Sequence, residues 1–564
     1  MDFIWCSDKS KIASLEKGFL SVGYIPESIV FSSHGEWGAI IAVKSCYTGL
    51  DPYEDEEFIC VVVGDPLIDK GETKKLGSSV QSSCRSKRIA DIWGEGGKNK
   101  NIMVPEHPAA IVCINKKIKK SEVYTDILGA VPVYSAISEG AVFLSSSPDI
   151  IAAILGPPID KISGVELVVN GRINYPYTLY DGIVQLAPGA LYTLPDLAFE
   201  KLWVPPSCVE DTSAEEWGAL IKEELQLFFR GMAVLLGESG ATTLSAGKDT
   251  RMISQLASSC MRLDAVTLYP VKNIDYYITS LVAKKIGIKL NGVLRSPSHY
   301  SELYRSRPVG ITTQNLWGDA HFHNRVLGEH LNTPFILGGY LGDAFLRGNS
   351  IYNKRRLQAI KRKEINSTSY DWVINEMGAT LSGEIANAIN TRYYQASTML
   401  GLGIEHRNDM VNNYPFTSIL SAAHFHAARR YGPHYEPFMS RKLVEIAFKI
   451  PLHLKKDELQ NSLYSSVGVG FSRKIFCVSL LNKFANRLGV IVPGKYQPKW
   501  LKYQGSWSYL VSPYNESDLH KDFMESLSFT ESLLGVDLHS IKIGSRNKVA
   551  CLQIMTAHSL SRAR

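Results

Sequence analysis

The sequence has little cysteine, nine residues in 564, and no C-x-x-C pair. That density is far below a disulfide-stapled scaffold, and the spacing excludes the usual zinc and thiol redox signatures, so a reduced compartment is expected. Long apolar runs are missing as well. No uncharged stretch approaches the roughly 18 residues needed to cross a bilayer, and the start, Met1-Asp2-Phe3-Ile4-Trp5-Cys6-Ser7-Asp8, lacks the basic and then apolar pattern of a signal peptide. A cytoplasmic protein with no membrane partner is the expectation. Charge of one sign is also scarce. Lys and Arg number 61 against 55 Asp and Glu, a net +6 over the whole chain, too dilute to compel nucleic-acid binding but compatible with a polyanionic ligand such as a nucleotide. No internal repeat or low-complexity tract is present.

With 45% hydrophobic and 21% charged residues, the chain can bury sizeable cores. Its length suits three or four domains, or two large ones. Up to residue 205 the texture is strand-like, with short apolar runs at Ala39–Val43, Phe58–Val63, Ala109–Ile114 and Ala141–Ser145 separated by Gly, Pro, Asn and Asp turn residues. The paired prolines of 203–212 read as a linker, placed at 206–212. Beyond it, Ser213 and Glu216 have the spacing of a capping box before a helix. Runs at Thr242–Ser245, Ala265–Leu268 and Pro334–Leu337 then alternate with helical stretches, the rhythm of a parallel α/β sheet, whose ligands sit at the carboxyl ends of the strands. Residues 350–490 read mostly as helix and carry two short basic runs, Lys354–Arg356 and Lys361–Lys363, taken as a solvated face.

The loop after the first of these strands is Ser245-Ala246-Gly247-Lys248-Asp249-Thr250-Arg251. Small residues let the backbone approach a ligand, and successive N–H groups at a helix start suit phosphate oxygens. A tight strand-to-helix connection would have the same spacing. The second loop, Gly338-Gly339-Tyr340-Leu341-Gly342-Asp343, weighs toward the ligand site, because it puts another lone acid after another strand; one Asp in a glycine-rich turn is more often structural, so the reading depends on the pair. Asp249 and Asp343 at two strand ends could hold Mg2+ against a polyphosphate.

Ser245–Arg251 resembles the pyrophosphate loop, Ser-Gly-Gly-x-Asp-Ser, of the asparagine synthetase-like ATP-pyrophosphatases, with Ala246 and Thr250 replacing a Gly and a Ser. The Asp343 loop is similar to the family's second acidic loop. Val266-Thr267-Leu268 with Asp275 and Ala283 is similar to its adenine-side strand and helix, and Pro437-Phe438-Met439-Ser440 resembles its Pro-Phe-Leu-Asp segment. Tyr124–Tyr134, Phe143–Pro148 and Tyr180–Gly189 look like motifs of its glutaminase domain. The resemblance runs in order from about 120 to 450. It implies an α/β protein: an Ntn-hydrolase-like β-rich sandwich over 1–205, then a parallel-sheet adenine-nucleotide α-hydrolase domain of the PP-loop type with helical additions over 213–490. An extension, 491–564, has no assigned role.

Family members with glutaminase activity expose a cysteine at position 2 as nucleophile. This chain has Asp2, its Cys6 reads as structural, and Val63-Gly64-Asp65-Pro66 stands where the family has Asn-Gly-Glu. The resemblance therefore implies an inactive glutaminase-like domain beside an AMP- and pyrophosphate-forming amide ligase using ATP and Mg2+, in the manner of β-lactam synthetases and lasso-peptide cyclases. A small-molecule or peptide would supply carboxylate and amine, with a homodimer as the assembly to consider. The alternatives are asparagine synthesis from ammonia, or from glutamine through a partner, and a non-catalytic nucleotide-binding accessory protein. The implied nucleotide contacts are Ser245, Ala246, Gly247, Lys248, Asp249, Thr250, Arg251, Leu268, Gly339 and Gly342, with Asp249 and Asp343 as metal ligands. Glu436 and Lys456 are the candidate catalytic residues. Glu436 is shifted from the family's Glu-x-Arg-x-Pro-Phe position, and Lys455 and Lys474 compete with Lys456, each also readable as a surface lysine. His424, His426, Arg429 and Arg430 share a helix-like segment facing this region.

Overall fold

The computed structural model describes residues 1–44, 47, 49–67, 82–94, 104–269, 272, 274–294, 333–347, 383–403, 406, 414–419, 422–455, 457–467, 520–538 and 545–562. The first 201 residues build two six-stranded antiparallel sheets. One runs β10-β8-β9-β1-β3-β2, from strands β1 (Asp2–Cys6), β2 (Ile29–Gly35), β3 (Gly38–Val43), β8 (Tyr134–Ser138), β9 (Ala141–Ser145) and β10 (Val184–Gln185). The other runs β12-β11-β7-β6-β5-β4, from β4 (Tyr53–Glu54), β5 (Phe58–Gly64), β6 (Ala109–Asn115), β7 (Lys120–Tyr124), β11 (Ala190–Leu194) and β12 (Ala198–Lys201). The four apolar runs read from the sequence are β3, β5, β6 and β9. They show no alternation because neither face meets water: β1, β3 and β9 are buried at every residue. Helices α1 (Ile12–Ser21) and α3 (Pro148–Leu155) cover the first sheet, and α2 (Ser82–Gly94) covers the second. At the edge, β2 regains alternating exposure.

The Tyr124–Tyr134 motif is a buried turn built on one carboxylate. Asp126 accepts hydrogen bonds from the amides of Leu128, Ala130 and Val131 at 2.9, 3.1 and 2.8 Å, and Gly129 takes φ +65°, the left-handed conformation glycine adopts without steric cost. Residues 202–213 are in neither helix nor strand. The capping box then forms as read: Ser213 Oγ accepts from Glu216 N at 3.2 Å, Glu216 Oε2 accepts from Ser213 N at 2.8 Å, and α5 (Ala214–Leu236) follows.

The second sheet system is parallel throughout, in the order β15-β14-β13-β16-β17. Its strands are β13 (Ser239–Thr243), β14 (Arg262–Tyr269), β15 (Lys289–Leu294), β16 (Ile336–Leu337) and β17 (His434–Tyr435). Strand β13 starts and ends earlier than the apolar run suggested. Its polar start pairs in register with β14, and Gly240 leaves room for the Phe335 ring, 2.2 Å from where a Cβ would lie, so pairing rather than hydrophobicity sets its limits. Helices α6 (Lys248–Ala257) and α7 (Ile274–Ile286) make the crossovers from β13 to β14 and from β14 to β15. The expected fold class, an antiparallel β-rich sandwich followed by a parallel α/β sheet, is the one observed.

Within 350–490 the described helices are α9 (Gly383–Met399), α10 (Ala422–Tyr431), α11 (Arg441–Lys449) and α12 (Asp457–Val467), after the short α8 (Gly342–Arg347) at the end of β16. The basic runs of 354–363 lie outside the described residues, as does Lys474. Of the C-terminal extension, α13 (His520–Leu534) and α14 (Ser545–Arg562) pack on the first domain, against α4 (Lys161–Asn170), and α14 also against α3. Gly164 of α4 admits Leu534, whose Cδ2 would sit 2.7 Å from an added Cβ.

Candidate functional site

In the parallel sheet β13 continues to β14 on one side, while β16 lies on its other side, so the strand order reverses between β13 and β16. At such a switch point the loops leaving the two carboxyl ends diverge and open a crevice, the general ligand position of open α/β sheets. The loops here are 244–247, leading into α6, and 338–341, leading into α8.

The two loops touch. A Cβ on Gly339 would lie 2.8 Å from Thr250 N, and one on Gly342 would lie 2.7 Å from Asp249 Cγ. Neither position admits a side chain without displacing the first turn of α6, which is the physical reason for glycine at both. Ser245, Ala246, Gly247, Lys248, Asp249, Thr250, Arg251, Gly339 and Gly342 are therefore neighbours in space. Leu268 is buried at the carboxyl end of the adjacent β14. Asp343 follows Gly342 on α8, but its side chain lies outside the described residues.

Internal hydrogen bonds hold the first loop. Ser245 N donates to Thr250 Oγ1 at 3.2 Å, and the two hydroxyls are 3.0 Å apart. Gly247 N donates to Ser245 Oγ at 3.1 Å, and Ala246 N donates to Asp275 Oδ1 at 2.9 Å. Asp275, at the first turn of α7, thus anchors the loop through a buried carboxylate. Arg251 is buried and its Nε donates to Gly247 O at 3.1 Å. At the start of α6, half-buried Lys248 and Asp249 carry a cation and an anion on adjacent residues at the positive end of a helix dipole.

A residue not singled out from the sequence completes this corner. Tyr464, on α12, donates its hydroxyl to Asp249 Oδ1. Its own oxygen accepts from Gln460 Nε2 at 2.9 Å, and Lys248 Nζ lies 5.4 Å from its ring centroid. The only local trace of this pair is the i, i+4 spacing of Gln460 and Tyr464 on one helix face.

Glu436 is fully buried at the end of β17. Its Oε2 accepts from Tyr340 N at 2.8 Å, and its Oε1 lies 2.7 Å from His434 Nε2. Gly338 makes room for it, since a Cβ there would be 2.0 Å from Oε1. The carboxylate therefore holds the 338–342 loop. Lys456 lies outside the described residues, and its neighbour Lys455, which reads as a surface lysine in sequence, is buried.

The segment 422–431 is helical, as read, but its two arginines turn toward the first domain. Arg430 donates to Asp2 from Nε at 2.7 Å and from Nη2 at 3.0 Å, and Arg429 Nη2 is 3.3 Å away. Tyr24 Oη and Ser146 Oγ add hydrogen bonds of 2.7 and 2.8 Å. Burial alone would raise the Asp2 carboxyl, but the two guanidinium groups hold it well below the ordinary carboxylate range. His426 is buried on the same helix, and the side chain of His424 lies outside the described residues. Cys6 is buried, and burial pushes its thiol up to about 11, the opposite of what a nucleophilic cysteine needs.

Among the described residues no cluster of three or more His, Cys, Asp or Glu is arranged to hold a metal, and no helix is long and apolar enough to cross a membrane. Comparison with known proteins gives no matching family model and no matching curated protein. Among solved structures the chain is similar to glutamine phosphoribosylpyrophosphate amidotransferase from B. subtilis complexed with ADP and GMP, at 10% identity and a TM-score of 0.25, over 52% of this chain and 90% of that one. It is similar to a structure described as the allosteric regulatory enzyme of purine biosynthesis, at 12% identity and a TM-score of 0.25, over 69% and 91% of the two chains. It is also similar to NMN synthetase from Francisella tularensis, at 12% identity and a TM-score of 0.20, over 34% and 98%. The architecture rests on the strand pairings given above rather than on these likenesses.

Proposed function

We propose that this chain is an ATP-dependent amide ligase that adenylates a carboxylate, releases pyrophosphate, and passes the acyl group to an amine with release of AMP. The observation that carries the reading is the meeting of two glycine-bearing loops at the switch crevice, with Asp249 against Gly342 and Gly339 against Thr250. The order of motifs in the sequence supplies the reaction class.

In this reading the start of α6 receives the polyphosphate, with Lys248 as a fixed cation beside it. Leu268 at the end of β14 faces the adenine. The carboxylate oxygen attacks the α-phosphorus as the bond to the bridging oxygen of pyrophosphate breaks, and the amine then attacks the acyl carbon as AMP leaves. Both steps depend on positioning and charge neutralisation more than on a protein nucleophile. Glu436, engaged with Tyr340 N and His434, serves as a positioning residue for the second loop.

The residues fit Mg2+: Asp249 presents a hard oxygen donor beside a loop too tight for a side chain, and Mg2+ takes one or two carboxylates with phosphate oxygens instead of an all-protein cage. Bound there with ATP, the ion would neutralise the polyphosphate; Asp249 is the ligand proposed from the described side chains, with Asp343 as its companion. The first domain takes no part in glutamine hydrolysis in this proposal, because Asp2 stands where the nucleophile would be and is consumed by its ion pairs with Arg429 and Arg430.

The test is ATP–pyrophosphate exchange with a small-molecule and peptide extract of the native cell as the carboxylate source, run beside aspartate. Asp249→Asn is expected to abolish exchange with the fold intact by circular dichroism. Exchange at the unsubstituted rate would remove Asp249 from the site.

A further inference from the structure

A β-rich domain without its nucleophile raises the question of what it does for the ATP site. Two consecutive residues of that domain, Glu106 and His107, in the segment entering β6, reach the loop between β17 and α11. His107 Nε2 accepts from the backbone amide of Glu436 at 3.2 Å. Glu106 O accepts from the amide of Arg441 at 3.0 Å, and the Glu106 carboxylate pairs with the Arg441 side chain at 2.8 Å. Both ends of Glu436–Arg441 are thus held by neighbouring residues of the first domain. Glu436 in turn holds Tyr340 N at 2.8 Å, in the loop whose Gly339 packs on Thr250.

The His107 ring is fixed from behind. Its Nδ1 lies 3.1 Å from Asp65 O, and since Nε2 is the acceptor for the Glu436 amide, Nδ1 carries the proton and donates. Asp65 Oδ1 accepts from Tyr47 Oη at 2.9 Å, and Tyr47 N donates to Arg430 O at 3.0 Å. The path therefore returns to α10, where Arg430 grips Asp2. The ring is enclosed by Tyr435 and Phe425, with centroids 4.9 and 6.1 Å away. Burial pushes the imidazole down to about 3, so it stays neutral, as an acceptor at Nε2 requires.

We infer that His107 is a positioning residue for the nucleotide site: through the Glu436 amide it sets the carboxylate that shapes the 338–342 loop, and the first domain works as a clamp built in cis. The inference rests on the proposed nucleotide reading only for its effect on ATP; the clamp itself is a statement about the loop.

The two nitrogens of the ring can be tested apart. Glutamine places an acceptor near the Nε2 position, and asparagine places a donor near the Nδ1 position. His107→Gln keeps the bond to Glu436 N and gives up the bond to Asp65 O, whereas His107→Asn does the reverse. Calorimetric titration of the full chain with Mg·ATP is expected to give about tenfold weaker binding for His107→Asn and a value within about threefold of the unsubstituted protein for His107→Gln, as expected for a buried amide that loses its acceptor. Hydrogen exchange at the Glu436 and Tyr340 amides should speed up in the Asn variant alone. His107→Leu separates the bond from packing, since it fills the ring's space but offers no acceptor: it should behave like the Asn variant on both readouts, and if it behaves like the Gln variant the ring serves only to fill space and the inference is overturned. If the unsubstituted chain binds no Mg·ATP, the nucleotide reading fails, while exchange at the two amides still decides the clamp.

Discussion

Glu166 lies in the middle of α4, completely buried, where α13 and α14 close over that helix. Burial raises its carboxyl from 4.5 to about 8, with Arg392 and Arg172 opposing the rise and Asp160 adding to it. The folded protein therefore keeps a proton on Glu166 through neutral pH that the unfolded chain releases near its ordinary value. For a carboxyl raised in this direction, stability is fully present below about pH 4.5 and is lost as pH climbs through about 8. A displacement from 4.5 to about 8 is worth about 5 kcal/mol across the window. Water entering around the ionised group would reduce that figure. Glu166→Gln preserves shape and cannot ionise, so it should remove this part of the pH dependence. The assay is urea unfolding of both proteins from pH 5 to pH 9, reading the difference in midpoint so that all other titrating groups cancel. The variant should gain on the unsubstituted protein by about 4 kcal/mol between the ends of the range, spread evenly at about 1.4 kcal/mol per pH unit from pH 5 to pH 8 and levelling off above it. A difference that stays flat across the range would refute the argument, because it would mean that Glu166 ionises in the folded state as easily as in water.

Two further outcomes follow from the same geometry. Asp2→Ala leaves the buried guanidinium groups of Arg429 and Arg430 without their counter-ion, and should cost about 3–5 kcal/mol in denaturant unfolding; a loss under about 1 kcal/mol would mean the arginines are solvated there. Tyr464→Phe removes one charge-assisted hydrogen bond to Asp249, and should weaken Mg·ATP binding about tenfold by calorimetry while shifting unfolding by about 1 kcal/mol. Unchanged affinity would show that Asp249 does not need this anchor when nucleotide is bound.

Much of the architecture was legible in the sequence because it is local. Runs such as Phe58–Val63 and Ala109–Ile114 lack polar residues on either face, which only a strand covered on both sides tolerates. Ser213 and Glu216 carry their capping box within four residues. The junction between β13 and α6 was legible for the same reason, since small residues, a cation and an acid sit within seven positions after a strand-like run. The meeting of Gly339 with Thr250 and of Gly342 with Asp249 follows from a sheet whose order reverses between two strands, once that order is known.

The tertiary structure alone decided which distant groups share a site. Asp2 and Arg430 are separated by 428 positions, Asp249 and Tyr464 by 215, and His107 and Glu436 by 329. Asp249, Glu436 and Arg430 stand out in the sequence, but nothing local ties them to Tyr464, His107 and Asp2, and the topology brings each pair together. The same reason turns Lys455 from an apparent surface lysine into a buried one, and gives two of the helices after residue 490 a place on the first domain. Periodicity, caps and turn residues act over a few positions along the chain, whereas burial and hydrogen bonding act between whatever the fold brings within a few ångströms.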